Sequence, residues 1–417
     1  MVKRHEQLQE EIADGHNRIN LIGGRGDPNT YIVGDNREGK CGTGRVEMHM
    51  TKPTMLRKRF MDINCGYHHN AAIDEDGIIY TWGRSNHGQL GQGEVKNQSI
   101  PSLLAQPLTK MEISEVSCGW QHTLALSIQG FVFAWGLNIN GQLGHGDYDD
   151  RNVPTLIESM IVNRVSKISA GHSHSALTDQ NCTLYTWGAN PDCRLCRKIS
   201  YYKLSMRPKN TNKPTMCSVI KKDRIVGISL GADHSLFLRE DGLVYACGNV
   251  SRGQLGDQYY HPEKAEHPYF PLYLFSTRGN KCIKVQAGDG FSVFLTEKGN
   301  VYSCGEGNYG RLGNENCTSS SKPLVIDYLH SNNIKIIDIQ VGGRHTYAIS
   351  KFGELYVWGF GYYYQLSNTT MEDNNEPTKV ILKKQVEQIS CGYFHSAFIL
   401  GEDDVEIPEN DKNDNSR

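Results

Sequence analysis

Short apolar or alternating runs, separated by turns, make up most of the chain between residues 29 and 400. Runs such as 174–177 (His-Ser-Ala-Leu) and 183–187 (Thr-Leu-Tyr-Thr-Trp) have the length of strands, and the second has the β-branched and aromatic residues typical of them. Turn pairs such as Asp76-Gly77 and Asp241-Gly242 lie between such runs. The pattern predicts antiparallel hairpins, with four strands in each repeating unit.

Two landmarks recur in step with these strands. The first is a glycine followed three residues later by a histidine, and it ends at His69, His122, His174, His234, His345 and His395. One copy has Phe291 in place of the histidine. The second landmark is an apolar residue plus glycine, followed five residues later by a turn like Gly-Gln-Leu-Gly. Its glycines are Gly34, Gly83, Gly136, Gly188, Gly248, Gly305 and Gly359.

The seven copies of the second landmark are about fifty residues apart, a period typical of propeller blades or repeat arrays. A four-stranded sheet cannot bury both of its faces alone, whereas seven sheets arranged radially cover one another. We therefore predict an all-β fold: one seven-bladed β-propeller with four-stranded blades over residues 29–400. Residues 1–28 are predicted to be an N-terminal extension, and residues 401–417 an acidic disordered tail.

The two ends of the repeat region are expected to share one blade. The last copy has strands near 377–382, 386–390 and 395–400 but no strand of the Trp-Gly type after them. Residues 29–34 supply such a strand alone. The sequence therefore predicts that N- and C-terminal segments close one blade together.

Charge and hydropathy narrow the classes of partner. A net charge of −2 provides no long-range positive field, and the acidic segment 401–417 repels phosphate, so nucleic acid and chromatin are not expected partners. No run is long and apolar enough to span a membrane, and the first seven residues lack the apolar core of a signal peptide. We expect an intracellular monomer, in the cytoplasm or the nucleus.

The repeated histidines and tryptophans have a structural interpretation. One histidine per blade would hold the six imidazoles apart, so we predict that they hydrogen-bond to backbone within or between blades. The tryptophans of the second landmark are predicted to be core residues: Trp82, Trp135, Trp187 and Trp358.

One cysteine pair has a spacing that metal sites also use. Cys193 and Cys196 stand where other copies of the turn have glycine, and a zinc site normally needs a second such pair. We predict no metal, no cofactor and no catalytic residue.

The segment from Cys118 (Cys-Gly-Trp-Gln-His-Thr) and the turn at 134–144 (Ala-Trp-Gly-Leu-Asn-Ile-Asn-Gly-Gln-Leu-Gly) resemble the regulator of chromosome condensation family. The resemblance implies a seven-bladed propeller. It does not imply one function, because propellers of this kind include an exchange factor for the Ran small GTPase, a photoreceptor, ciliary scaffolds and parts of ubiquitin ligases. The photoreceptor needs stacked tryptophans from several blades, and here only Trp120 lies in the corresponding turn.

The resemblance also allows the exchange-factor hypothesis to be compared residue by residue. The acidic residues that matter in that enzyme correspond to Trp120 and Ser173, and a histidine of the enzyme corresponds to Phe291. The turn from Gly136 to Gly141 has the ordinary length, whereas the enzyme widens it into a wedge. These departures count against exchange, so guanine nucleotide exchange on a Ran-type GTPase is the alternative hypothesis and not the leading one.

The leading hypothesis is a protein-interaction propeller without catalysis, because repeats four and five carry extended segments. Extra residues in a propeller often form a binding face. Residues 197–214 and 258–279 contain the first candidate partner-binding residues: Tyr201, Tyr202, Tyr259, Tyr260, Tyr269, Phe270, Tyr273 and Phe275. A third candidate is the run Tyr362, Tyr363 and Tyr364. The alternative that these aromatic residues pack onto their own blade stays open.

Overall fold

Seven four-stranded antiparallel sheets surround a central channel. The computed structural model describes residues 29–105, 108, 111–197, 209–256, 272–273 and 280–404. Each blade takes the number of the repeat that supplies its Trp-Gly strand, so blade one contains Gly34 and blade seven contains Gly359. The predicted seven-bladed propeller is confirmed.

The strands of the blades are as follows. Blade one consists of β27 (Lys384–Cys391), β28 (His395–Asp404), β1 (Thr30–Asp35) and β2 (His49–Met55). Blade two consists of β3 (Asp62–Cys65), β4 (His69–Ile73), β5 (Ile79–Gly83) and β6 (Gln98–Leu103). Blade three consists of β7 (Ile113–Cys118), β8 (His122–Ser127), β9 (Val132–Gly136) and β10 (Arg151–Leu156). Blade four consists of β11 (Val165–Ala170), β12 (His174–Asp179), β13 (Leu184–Gly188) and β14 (Thr211–Met216).

Blades five to seven repeat this order. Blade five consists of β15 (Ile225–Leu230), β16 (His234–Arg239), β17 (Val244–Gly248) and β18 (Leu272–Tyr273). Blade six consists of β19 (Cys282–Ala287), β20 (Phe291–Thr296), β21 (Val301–Gly305) and β22 (Ser320–Val325). Blade seven consists of β23 (Ile336–Val341), β24 (His345–Ser350), β25 (Leu355–Gly359) and β26 (Asn374–Val380). The one described α-helix, α1 (Asp327–Ser331), links blades six and seven.

Blade one is closed by both ends of the described chain, as predicted. Its strand order is β2-β1-β28-β27, with Ile32 opposite Ala397, and the Leu400 N–H donates to the Asn29 carbonyl at 2.9 Å. The prediction was wrong in one detail, because the segment near 377–382 belongs largely to β26 of blade seven. In every repeat the outer strand follows the Trp-Gly strand, so each end of the chain contributes two strands to blade one.

Blade one also contains a buried ion pair. Lys40 stands where most repeats have the glutamine of the turn, and its Nζ lies 2.8 Å from Oδ2 of Asp35. Arg37 donates to the same carboxylate through Nε and Nη2, both at 2.8 Å. Burial alone would raise the pKa of Asp35, but the hydrogen bonds from Arg37 and Lys40 and the charge of Lys40 outweigh it and lower that pKa well below its usual value.

The hydrophobic core is divided among the seven boundaries between blades. Among the described residues there are seven clusters of buried side chains, and each one spans two neighbouring blades. The cluster between blades one and two, for example, joins Ile32 to Phe60 and Trp82. Because each blade buries its faces only against its neighbours, the closed ring is the stable unit.

The six landmark histidines are buried and link each blade to the next. Their Nε2 atoms contact a polar side chain of the neighbouring blade, in the pairs His69–Thr123, His122–Ser175, His174–Ser235, His234–Ser292, His345–Ser396 and His395–Asn70. The partner is therefore a side chain, whereas the sequence analysis expected backbone.

The second bond of the Thr123 hydroxyl fixes the direction of the first. Thr123 Oγ1 donates to the Gln89 carbonyl at 2.9 Å, so it accepts from the protonated Nε2 of His69 at 2.8 Å. The indole of Trp135 donates to the same Gln89 carbonyl at 2.9 Å. The two landmarks and the Gly-Gln-Leu-Gly turn thus form one repeated hydrogen-bonded unit.

The glycine three residues before each histidine makes room for the imidazole. A Cβ added at Gly119 would lie 2.4 Å from Cε1 of His122 and 2.5 Å from the Gly171 carbonyl oxygen. Neither atom can move away without disturbing the blade boundary. This contact explains the fixed Gly-x-x-His spacing.

The boundary between blades six and seven lacks this unit. Phe291 replaces the histidine, and among the described residues neither the buried Thr346 hydroxyl nor the buried Trp358 Nε1 has a hydrogen-bonding partner. Blades six and seven are therefore joined by apolar packing, without the hydrogen bond from a landmark histidine that the other described boundaries have.

Two isosteric substitutions test this difference. Thr123→Val leaves the His69 Nε2–H unpaired in the core, so we expect it to lower the free energy of unfolding by about 1–3 kcal/mol. Thr346→Val removes a buried hydroxyl without a partner, so stability should stay equal or rise. Urea unfolding of both variants measures the difference. Equal destabilisation by the two changes would contradict the proposed histidine link.

Candidate functional site

The two landmarks lie at the same end of every complete blade. His69 is paired with Gly83 across β4 and β5, His122 with Gly136, and His345 with Gly359. We call this end of the propeller the turn face. The other end, the hairpin face, carries the turns between these strands, such as 74–78 and 350–354.

The residue after each landmark glycine lies at the mouth of the channel. Its N–H donates to the landmark glycine carbonyl of the next blade, as from Tyr67 to Gly119 at 3.2 Å, and the seven residues form what we call the mouth ring: Tyr67, Trp120, His172, Ala232, Asp289, Gly343 and Tyr393. Asp289 departs from the pattern by donating to the Gly343 carbonyl at 3.0 Å. The backbone therefore holds seven otherwise variable side chains around one opening.

Four aromatic side chains of the mouth ring pack on one another. Trp120 stacks on His172 with ring centroids 4.2 Å apart, and Tyr67 stacks on Tyr393 at 4.6 Å. Tyr67 also meets His172 edge to face at 5.3 Å. Burial, aided by the charge of Arg194, lowers the pKa of His172 to about 4, so this imidazole is neutral at pH 7.

Asp289 is the carboxylate of the mouth ring. Its Oδ2 accepts from the Tyr393 hydroxyl at 2.9 Å, and its Oδ1 accepts from Arg252 at 3.0 Å. Arg344 lies 3.6 Å from Oδ2. The aromatic and acidic residues border a cavity of about 290 Å³ above the channel.

A second group of aromatic residues extends from the mouth ring across blades six, seven and one. We call Tyr309, Phe360, Tyr362, Tyr363 and Phe394 the aromatic patch. Phe360 lies 5.0 Å from Tyr309, 6.2 Å from Tyr362 and 5.8 Å from Phe394, measured between ring centroids. Phe394 in turn lies 4.3 Å from Tyr393 of the mouth ring.

The aromatic patch is partly open to solvent. Tyr362 is 53% exposed and Tyr309 is 42% exposed. Arg37 lies over the ring of Tyr363 at 5.0 Å. Of the predicted run 362–364, Tyr362 and Tyr363 belong to the patch. Tyr364 does not, because it packs against His49 of β2 with ring centroids 4.8 Å apart.

The other predicted partner-binding residues lie almost entirely outside the described residues. These are Tyr201, Tyr202, Tyr259, Tyr260, Tyr269, Phe270 and Phe275. Tyr273 lies in β18, the outer strand of blade five. Only its main chain is described, and it pairs with Tyr245 of β17. The chain enters segments 198–208 and 257–271 directly after turns on the turn face.

The cysteine pair of blade four has the geometry of the glycines it replaces. Cys193 and Cys196 have φ values of 61° and 55°, and both are buried. Burial, with the charge of Asp192, raises the pKa of the Cys193 thiol to about 12. Over the described ranges no three His, Cys, Asp or Glu side chains are grouped as metal ligands, and no helix there is long and apolar enough to cross a membrane.

The mouth ring is the feature that sequence reasoning missed. Its signal is the residue directly after the glycine of each landmark. This residue is aromatic at Tyr67, Trp120 and Tyr393 and acidic at Asp289. Each position is ordinary within its own repeat. Only closure of the ring brings the seven together.

Comparison with known proteins gives a family and several relatives. The family model described as "RCC1-like domain" matches residues 29–398. The E3 ubiquitin-protein ligase HERC2 of Homo sapiens is 30% identical over 332 residues, which cover 78% of this chain and 6% of the ligase. The chain thus corresponds to a small part of that relative.

Two further proteins match over most of their length. The ultraviolet-B receptor UVR8 of Arabidopsis thaliana is 28% identical over 362 residues, covering 86% of this chain and 79% of the receptor. The crystal structure of Prp20p from Saccharomyces cerevisiae superposes with a TM-score of 0.76 at 20% identity and covers 96% of both chains. For Prp20p, binding to Gsp1p and histones is described. At this identity the superposition shows the shared fold alone.

Proposed function

This chain belongs to the RCC1-like domain family, and on that premise we propose that it is a protein-interaction propeller that binds a macromolecular partner through its turn face. The proposed surface consists of the aromatic patch together with the extended loops of repeats four and five. We propose no catalytic role for it.

The exposure of the aromatic patch carries this proposal. Tyrosine, tryptophan and arginine supply most of the binding energy in protein interfaces, because they bury large areas at a small entropic cost. The patch presents two half-exposed tyrosines, Tyr309 and Tyr362, beside Phe360. Arg344, whose side chain is partly exposed, lies 5.6 Å above the ring of Tyr309, and this adds an arginine to a set of groups typical of an interface centre.

The turns that precede the loops of repeats four and five support the same face as the interface. Cys196 closes the turn of blade four and Gly256 closes the turn of blade five, and both turns lie on the turn face. A partner on that face would therefore contact the patch, the mouth ring or the start of these loops. The candidates Tyr269 and Phe270 belong to this proposal.

Nucleotide exchange on a Ran-type GTPase is the alternative. Trp120 and Ser173 stand where the exchange factor has acids, and the acids that the Gly-x-x-His turns do carry, Asp233 and Asp289, have partners in Gln254 and Arg252. The release rate of labelled GDP from a purified Ran-type GTPase separates the hypotheses. A large acceleration at nanomolar protein would favour exchange.

Two further expectations concern chromatin binding and the cellular compartment. The expectation that chromatin is not a partner stays a prediction, since histone binding is described for Prp20p. Core histones therefore belong in the binding assay as a separate arm. The cytoplasm or the nucleus also stays a prediction.

We expect the double variant Tyr309→Ala with Tyr362→Ala to weaken capture of the native partner at least thirtyfold, because each hot-spot ring contributes about 2 kcal/mol. Quantitative capture from extract, with the full chain as bait, measures the change. Phe352→Ala is the matched control, since Phe352 is 62% exposed but lies on the hairpin face.

A third variant, Tyr269→Ala with Phe270→Ala, separates the patch from the loops. Loss of the partner in this variant alone would assign the interface to repeat five. Undiminished capture by both double variants, with intact thermal unfolding, would contradict the proposed face.

A further inference from the structure

We propose that the cavity at the channel mouth receives a positively charged side chain, arginine or lysine, from the partner protein. This inference rests on the proposed function and names the chemistry of one contact within it.

The size and walls of the cavity fit one long side chain. Its volume is about 290 Å³, and its walls include Tyr67, Trp120, His172 and Tyr393. Aromatic ring faces attract cations through the negative potential above the ring, most strongly for tryptophan. Trp120 is not among the fully buried tryptophans, whereas Trp82, Trp135, Trp187 and Trp358 are 0% exposed.

Charges of both signs surround the cavity. Asp289 lines it and Asp233 lies on the adjacent turn of blade five, whereas Arg194 donates to the Ala232 carbonyl and is paired with Asp192 at 2.6 Å. Burial is the main cause that raises the pKa of Tyr67; the charges of Asp289 and Asp233 raise it further, and that of Arg194 lowers it. The neutral ring of His172 adds no repulsion.

The arginines around the cavity are already paired with carboxylates. Arg37, which lines the cavity, holds Asp35 through two hydrogen bonds. Arg252 contacts both Asp289 and Glu306, at 3.0 and 3.3 Å. An incoming anion would have to compete with these carboxylates.

Asp289 keeps capacity for another donor. A carboxylate offers about four acceptor positions, and the described hydrogen bonds to Asp289 come from Arg252 and Tyr393. A guanidinium or ammonium group inside the cavity, which Trp120, Tyr393 and Asp289 line together, would therefore have this carboxylate as an acceptor. The same insertion by a carboxylate would place two negative charges together.

The test uses the purified full chain and four blocked tripeptides, Ac-Gly-X-Gly-NH₂, in which X is arginine, lysine, citrulline or glutamate. The readout is the fluorescence of Trp120, identified by its loss in Trp120→Phe. We expect saturable binding of the arginine and lysine peptides with a dissociation constant of about 1 mM. Citrulline, the neutral isostere of arginine, should bind at least about tenfold more weakly, and glutamate should give no signal.

Two variants complete the test. Asp289→Asn should weaken the arginine peptide about tenfold, whereas Phe352→Ala, on the hairpin face and outside the cavity, should leave it unchanged. Equal binding of citrulline and arginine, binding of glutamate, or no signal from any peptide would overturn the inference. If the peptide results overturn the inference but Tyr309→Ala with Tyr362→Ala still loses the partner, the proposed function stands. Peptide binding with undiminished capture by both double variants would contradict the proposed function instead.

Discussion

A chain that lacks residues 1–35 is expected to lose its native fold. The deletion removes β1, which lies between β2 and β28 in blade one, so β2 loses its pairing partner and β28 gains an open edge. Ile32 and Val33 are 0% exposed, and the partner of buried Lys40 is lost with Asp35. Because a typical protein is stable by only about 5–15 kcal/mol, losing a strand, its core contacts and one buried charge pair exceeds that margin.

A circular permutant is the matched control for this deletion. The Leu400 N–H and the Asn29 carbonyl are 2.9 Å apart, so residue 404 can be joined to residue 29 through a short glycine linker. The permutant begins at Lys58 and ends at Arg57, and it keeps all four strands of blade one. We expect circular dichroism and gel filtration to show a folded permutant and an unfolded or aggregated deletion variant. A stable, monomeric deletion variant would contradict closure by these strands.

Stability is also expected to fall steeply between pH 7 and pH 5. Burial is the main cause that lowers the pKa of three landmark histidines to about 3: His69, His122 and His345. The pKa values of His174 and His395 are also well below 6.5, again chiefly through burial. These imidazoles stay neutral in the folded protein and take up protons on unfolding below pH 6.5.

The sign follows from this difference in proton binding. A folded pKa below the unfolded value contributes stability that is fully present above about pH 6.5 and is lost as pH falls toward 3. Each of the three histidines with a pKa of about 3 then loses about 2 kcal/mol between pH 7 and pH 5, about 6 kcal/mol together, and the lowered pKa values of His174 and His395 act in the same direction. Burial raises the pKa of Glu115 to about 7, which acts in the opposite direction and offsets about 2 kcal/mol.

Urea unfolding at pH 8, 7, 6 and 5 measures this dependence. We expect little change between pH 8 and 7, then a slope that corresponds to a net uptake of at least about two protons near pH 5.5. The variant His345→Phe copies the natural arrangement at Phe291 and should reduce the uptake by about one proton. A stability that is flat from pH 7 to pH 5 would show that the imidazoles are not held neutral.

The sequence was sufficient to predict the propeller because its strands, turns and landmarks repeat with one period. The Trp-Gly pair, as at Trp135, and the Gly-x-x-His pair, as at His122, recur because the blade boundaries use the same hydrogen-bonded unit. Closure could be predicted as well, since the last repeat lacks a Trp-Gly strand. The assignment of segment 377–382 failed, because strand pairing between neighbouring repeats cannot be read from spacing alone.

The candidate site could be predicted only in part. Tyr362 and Tyr363 were found because they replace an ordinary polar turn, and they lie in the aromatic patch. Tyr67, Trp120 and Asp289 were not recognised as neighbours, because they are far apart in the chain and meet only when the ring closes. The absence of a hydroxyl partner for Thr346 within the described chain depends on Phe291 of the adjacent blade, which is a property of the boundary and not of either repeat.

Hydrogen–deuterium exchange of the full chain, alone and with its captured partner, tests the central claim most directly. If the turn face is the interface, partner binding should slow exchange at the turns 305–313 and 359–367 and at the landmark near 392–395. The hairpin turns at 74–78 and 350–354 should exchange at the same rate in both samples. Protection confined to those hairpin turns, with no change at 359–367, would contradict the account.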